Sequence, residues 1–289
     1  MQHTEEIKTY ELEKQGLSQS FVYKTMQQIA LENDGQSDEP HRHNYYEIFI
    51  FNKAGGTHDI DFHVHDIEEH AVHFVSPGQV HHVERGLGTY GYVILFSRDF
   101  IALNATDAEK LFEMPFLNNS PNPVINMNSE EMQGLIGLVD SMQSEYQDEN
   151  QHAGDIIRST LMVFLMKCHR AYCERHPEDE NVYKSHLYRE FRMLIEKHFV
   201  NFHKVKDYAE LLNTSEKTLN ESIKKVTGKT VSELIYARII LEAKRLLLHS
   251  GMSAKEIAYA LNFSDPAHFS KFFKKQTGFS PSGYKESVV

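Results

Sequence analysis

From about residue 41 to 100 the apolar positions fall in short runs rich in Val, Ile, Phe and Tyr: 47–51 (EIFIF), 58–64, 71–75, 80–84 and 90–96. Turn-forming stretches separate them, namely Ala54-Gly55-Gly56-Thr57, Ser76-Pro77-Gly78 and Gly86-Leu87-Gly88. Runs punctuated in this way predict strands. Their regular spacing predicts a β-sandwich or small barrel.

The period then changes. Met132, Leu135, Ile136, Val139, Met142 and Tyr146 recur at helical spacing, which predicts a helix over 129–146 with Asn128 or Ser129 as its cap. A second helix is expected over 155–174. It is apolar around much of its girth (Ile156, Ile157, Leu161, Val163, Phe164, Leu165), so either a core or another subunit must cover it. Residues 176–181 (HPEDEN) are polar, acidic and proline-containing, as a linker would be. From Leu187 onward every segment reads as helix. The expected chain is α+β with two domains. A β domain covers 1–125, a helical coupling or dimerisation segment 126–176, a linker 177–186 and an all-helical domain 187–289.

The helical domain repeats itself. Lys224-Lys225-Val226-Thr227-Gly228 returns as Lys274-Lys275-Gln276-Thr277-Gly278. Val205, Tyr208, Ala209 and Leu212 share their i, i+3, i+4, i+7 spacing with Ala254, Ile257, Ala258 and Leu261. Each of these short helices ends at an asparagine, Asn213 or Asn262, a residue that tolerates the left-handed conformation that ends helices. A second helix follows each. Thr214 or Ser215 caps the first of these, and Asp265 with Pro266 at N1 starts the other; Gly228 and Gly278 stop them. A long helix over 231–249, opened by a Thr230/Glu233 capping box, joins the pairs, and Ser253/Glu256 opens the second pair. The pattern is helix-turn-helix, twice, on one connector. Such a chain presents two recognition helices to successive major grooves, and its four paired lysines, Lys224, Lys225, Lys274 and Lys275, suit phosphate contact.

Charge agrees. Over its 289 residues the chain has 30 Lys+Arg against 41 Asp+Glu, a net of −11. The deficit is confined to residues 1–186, with 13 basic and 30 acidic residues; residues 187–289 hold 17 basic and 11 acidic, a net of +6. A basic module on an acidic chain points to a polyanionic partner for that module. No apolar run approaches the roughly 18 residues of a membrane span. The N-terminal MQHTEEIKTYELEKQG lacks an apolar targeting core, so the expectation is a cytoplasmic protein without a membrane partner. The two cysteines, Cys168 and Cys173, exclude a disulfide scaffold and a paired CxxC zinc site.

Residues 187–289 resemble the DNA-binding domain of the AraC/XylS family of transcriptional regulators. The resemblance is carried by Ile257-Ala258, Asn262-Phe263-Ser264-Asp265, His268-Phe269-Ser270-Lys271-Phe272-Phe273-Lys274-Lys275-Gln276-Thr277-Gly278 and Phe279-Ser280-Pro281-Ser282-Gly283-Tyr284-Lys285. Two departures stand out. Asn262-Phe263 replaces the usual Gly-Phe, and Leu219 is followed by Asn220-Glu221-Ser222-Ile223 where the family often carries Ser-Arg-Leu-Phe. The resemblance implies promoter DNA as partner, with RNA polymerase as a second, and transcription activation as the commoner mode. It also implies base-edge contacts from Lys217, Asn220 and Glu221 in the first unit and from Ala267, His268 and Lys271 in the second. Chemistry suits several of them, since Lys reads guanine, Asn adenine, Glu cytosine and Ala the thymine methyl. Leu219 and Phe269 are expected in the core.

Residues 41–82 hold 9 of the 18 histidines. His41-Arg42-His43-Asn44-Tyr45-Tyr46-Glu47 and Pro77-Gly78-Gln79-Val80-His81-His82 resemble the two motifs of the cupin barrel. In metal-holding cupins, two His and a Glu from the first motif join a His from the second. His41, His43 and Glu47 share parity, so on one extended segment they would face one side. Three readings stay open for His41, His43, Glu47, His81 and His82: a pocket for a small-molecule effector, a divalent metal site, or a structural remnant. Imidazole with carboxylate suits Fe, Mn, Ni or Zn. His58, His63, His65, His70 and His73 are expected on strand surfaces and turns. The leading expectation is a non-enzymatic, cofactor-free regulator, a homodimer on one reading. A metal-dependent cupin enzyme or a metal-sensing regulator is the alternative.

Overall fold

A computed structural model of the chain describes residues 8–12, 20–32, 39–120, 122–148, 150–177 and 185–288. Its contacts divide it into two compact units, Lys8–Glu180 and Asn181–Val289. Most of the expected 177–186 linker lies outside the described residues.

Among the described residues the first unit holds two five-stranded sheets. One runs β1 (Thr9–Tyr10), β3 (His41–His43), β8 (Val80–Arg85), β5 (Gly56–Ile60), β6 (His63–Asp66). The other runs β10 (Val124–Asn126), β7 (Ala71–Val75), β4 (Tyr46–Lys53), β9 (Tyr90–Phe96), β2 (Phe21–Thr25). Three short helices accompany them, α1 (Met26–Glu32), α2 (Arg98–Ile101) and α3 (Ala105–Glu113). The expected 58–64 strand is a hairpin instead. Asp61, at φ 54°, turns the chain between β5 and β6, and its carboxylate accepts from Gln79 Nε2 (2.9 Å) and the Val80 amide (3.2 Å).

The second sheet is buried on both faces, which explains the unbroken EIFIF run. Tyr46, Ile48 and Ile50 pack with α4 (Ser129–Asp148) and α5 (Ala153–Arg175), whereas Phe49 and Phe51 point into the space between the sheets. The two helices therefore share one core with the sheet, through Leu135, Val139, Ile157, Leu161, Phe164 and Leu165. Asn128 caps α4, accepting from the Glu131 amide at 2.9 Å. Ile156, Val163 and Met166 of α5 face outward and stay about 40 % exposed.

The second unit is helical: α6 (His186–His198), α7 (Val205–Leu211), α8 (Glu216–Thr227), α9 (Val231–His249), α10 (Ala254–Ala260), α11 (Pro266–Thr277) and α12 (Pro281–Val288). The expected signals all have structural form. Asn213 and Asn262 sit at φ 49° and 59°, and Gly228 and Gly278 end α8 and α11 at φ 70° and 85°. Ser215 and Asp265 cap α8 and α11, and the capping boxes of α9 and α10 are complete. One buried ionic cluster ties α6 to α9. Arg238 Nε donates to Glu196 (2.8 Å) and its Nη1 to Glu242 (3.1 Å), while the guanidinium lies 3.8 Å from the Phe199 ring centroid.

Candidate effector cavity and DNA interface

The inward side chains of β3, β8 and β4 meet at one point. Glu47 Oε2 lies 3.1 Å from His43 Nε2 and 3.3 Å from His81 Nε2. One ligand atom each from His41, Glu47 and His81 falls within 4.8 Å of the others. The reason is not the parity expected from a single extended segment. The chain bends at Asn44–Tyr45 and crosses from one sheet to the facing one, so 41 and 43 approach 47 from the opposite wall. Backbone carbonyls orient two of the rings: Glu39 O sits 2.9 Å from His41 Nδ1, and Tyr45 O 2.7 Å from His43 Nδ1. A carbonyl only accepts, so each Nδ1 carries a proton and the Nε2 atoms are aimed elsewhere. Among the described residues His43 Nε2, Glu47 Oε2 and His81 Nε2 make no hydrogen bond of proper angle, although they are nearly or fully buried.

His82 does not join them. It alternates with His81 on β8 and sits opposite Asp59 on the outer face. Conversely, His58 and His73 are not surface residues. Both are 0 % exposed, because β5 and β7 turn them into the space between the sheets. His58 Nδ1 is 3.2 Å from His73 Nδ1, and His58 Nε2 is 3.2 Å from His81 Nδ1. Burial, aided by neighbouring histidines, holds His58 and His81 well below the usual imidazole range and brings His73 down to about 3. His63 is exposed on β6, His65 is half-buried there, and His70 occupies a turn at φ 63°.

A cavity of about 230 Å³ opens on this cluster. His41, Glu47, His81, Tyr10 and Tyr45 supply polar groups, and Phe49, Val83, Val93, Leu95, Met26 and Ile29 an apolar wall. Lys24 and Arg85 add two cationic groups, and Arg85 is held by an Nη1 bond to Met26 O (2.8 Å). No spacing in the sequence singled out Lys24, Arg85, His58 or His73. They come from separate strands, and only inward alternation along β5, β7 and β8 could have found the two histidines.

In the helical unit, Lys217 and Glu221 are exposed on α8 and pair with each other at 3.9 Å. Ala267, His268 and Lys271 are exposed on the N-terminal half of α11. Lys224, Lys225, Lys274 and Lys275 are exposed in the last turns of α8 and α11. Leu219 and Phe269 are fully buried beneath these surfaces. Asn220 differs. Its Nδ2 donates to Glu216 O (3.1 Å) and its Oδ1 accepts from the Val231 amide (3.1 Å), so its amide clamps the start of α9.

A family model described as a helix-turn-helix domain matches residues 208–287. The HTH-type transcriptional activator RhaS of Enterobacter sp. (strain 638) is 23 % identical over 241 residues, covering 83 % of this chain and 85 % of the relative. The RhaS of Escherichia coli O139:H28 is 24 % identical over 252 residues, 87 % of this chain and 89 % of that one. Among solved structures, ToxT from Vibrio cholerae O395 is similar over 93 % of this chain and 98 % of its own, at 16 % identity and a TM-score of 0.42. No helix among the described residues is long and apolar enough to cross a membrane.

Proposed function

We propose that this chain is a transcriptional regulator of the AraC/XylS type, as the helix-turn-helix match and the RhaS relatives support, and from that premise we infer how it reads DNA and what governs it. The chain is a DNA-binding regulator. Its α8 and α11 enter successive major grooves of promoter DNA, presented by the 19-residue α9. At 1.5 Å per residue that connector spans about 28 Å, close to the roughly 34 Å repeat of grooves on one duplex face. The carrying observation is the pair of recognition helices, N-capped by the Ser215 or Asp265 side chain and each ended by a left-handed glycine, with an exposed N-terminal half over a buried Leu219 or Phe269. Lys217 and Lys271 suit guanine, Glu221 cytosine and Ala267 the thymine methyl, with His268 as a further edge contact. Asn220 positions α9 rather than reading a base. The four terminal lysines meet phosphates.

The barrel cavity takes a small-molecule effector with an apolar body and an anionic or hydrogen-bonding head, which the Lys24 and Arg85 side chains favour. Effector binding shifts a population of states because it favours one of them. Activation, through contact with RNA polymerase, is the expected output, and the outward Ile156, Val163 and Met166 are what a homodimer would cover. Selection of duplexes from a random pool with full-length protein tests the reading. One enriched site with two blocks about one helical turn apart supports it. Binding that is sequence-blind and vanishes with salt refutes it.

One observation favours a second occupant, the convergence of His41, Glu47 and His81 within 4.8 Å. A divalent transition ion held there, with His43, would act as signal instead of catalyst. DNA affinity that changes with added Mn, Ni or Zn, and ceases to change in His81→Ala, would support it; indifference to metal would remove it.

A further inference from the structure

Two buried imidazoles, His58 and His73, lie behind the cavity and do not line it. We propose that they are positioning residues: with His81 they form a hydrogen-bonded relay whose favoured direction makes His81 Nε2 a proton donor towards Glu47 and the cavity. The two links are His73 Nδ1 to His58 Nδ1 and His58 Nε2 to His81 Nδ1, each 3.2 Å.

A neutral imidazole has one N–H and one lone pair, so three rings joined by two such links have two arrangements. In the first, His73 Nδ1 donates to His58, His58 Nε2 donates to His81, and His81 Nε2 keeps its proton. In the second, every link reverses. His81 then turns a lone pair towards the Glu47 carboxylate 3.3 Å away, and with the His43 proton committed at Nδ1 to Tyr45 O, neither neutral ring offers that carboxylate an N–H. His73 Nε2, buried without a hydrogen-bond partner among the described residues, would then carry an unsatisfied N–H. The first arrangement leaves only a lone pair unsatisfied there, and orphaned donors are the rarer and costlier case. Reversal conserves protons only if one leaves His81 Nε2 for the cavity and one reaches His73 Nε2, which is sealed from water.

The cavity therefore greets its occupant with a donor at His81. An anionic or acceptor group is favoured, and a cation needing the His81 lone pair has to turn the relay over as far as β7. That meaning rests on the cavity being the sensor, but the relay itself is testable without DNA or effector.

The experiment is long-range ¹⁵N–¹H correlation on histidine-labelled full-length protein, which reports the protonated nitrogen of each ring. The expected result is His81 and His58 protonated at Nε2 and His73 at Nδ1, the less usual tautomer. In His58→Leu, His73 should move its proton to Nε2. In His58→Gln, whose amide both donates and accepts, His73 should keep it at Nδ1. His73 protonated at Nε2 in the wild type overturns the proposal, as does a His58→Leu spectrum with His73 unchanged. If His58→Leu does not fold, the wild type and His58→Gln decide: loss of the Nδ1 tautomer in His58→Gln also overturns it.

Discussion

Asn220→Ala separates two roles open to this residue, reading a base and positioning a helix. The Asn220 Oδ1 accepts from the Val231 amide, the first donor of α9, at 3.1 Å. That amide belongs to the four that a helix leaves without internal partners, and Val231 is fully buried. One net hydrogen bond is worth about 0.5–1.5 kcal/mol, and leaving a buried donor unmade costs about 1–3 kcal/mol. The exposed bond from Nδ2 to Glu216 O adds little, so the loss should be about 1–2 kcal/mol. For a unit of this size, 1 kcal/mol moves Tm by about 4–8 °C, so the melting transition of the helical unit should fall by at least about 4 °C. Thermal unfolding of the full chain reads this directly. Binding to the selected operator should weaken evenly across its single-base variants. A base-reading Asn220 would behave oppositely. Tm would stay put, and discrimination at one A·T pair would drop by about 1–3 kcal/mol. That result would refute the positioning role.

Three further outcomes follow from the structure. Replacing Lys224, Lys225, Lys274 and Lys275 together with Gln should reduce the slope of log affinity against log salt by about 3–4, near 0.9 for each phosphate no longer neutralised, without changing which site is selected; an unchanged slope would place the lysines off the backbone. Burial opposes ionisation of Glu196, yet Arg238 and Arg192 outweigh it and hold its carboxyl below the usual range. A lowered pKa stabilises above the unfolded value and is lost as pH falls through the folded one, so the helical unit should lose stability below about pH 4, and Glu196→Gln should flatten that loss in acid melts. Burial pushes the Cys168 thiol up, whereas Cys173 is half-buried beside His169; iodoacetamide should therefore label Cys173 in the native protein and Cys168 only on unfolding, as peptide mass mapping would record.

Much of the helical unit was legible because its signals are local. Caps, left-handed asparagines and C-terminal glycines act within one helical turn, so the expected α9 over 231–249 has those bounds in the structure. The strands at 71–75 and 90–96 were likewise bounded by their turns. Strands β2, β3 and β10 were not, since short segments take their structure from the neighbour they pair with. The Asn220 clamp was not legible in the sequence because the Val231 amide lies eleven residues away, across a turn.

The sequence by itself determined two helix-turn-helix units on one connector, an acidic β-rich half, and a histidine-rich stretch suited to ligand or metal. These depend on period, capping and composition, which are properties of neighbouring residues. Tertiary structure decided which histidines meet. It turned His82 outward, drew His58 and His73 inside, and added Lys24 and Arg85 to the cavity. Inward or outward direction is set by strand register, and a shift of one residue exchanges the two faces. Register in turn depends on which strands pair, a long-range choice driven by burying both sheets at once.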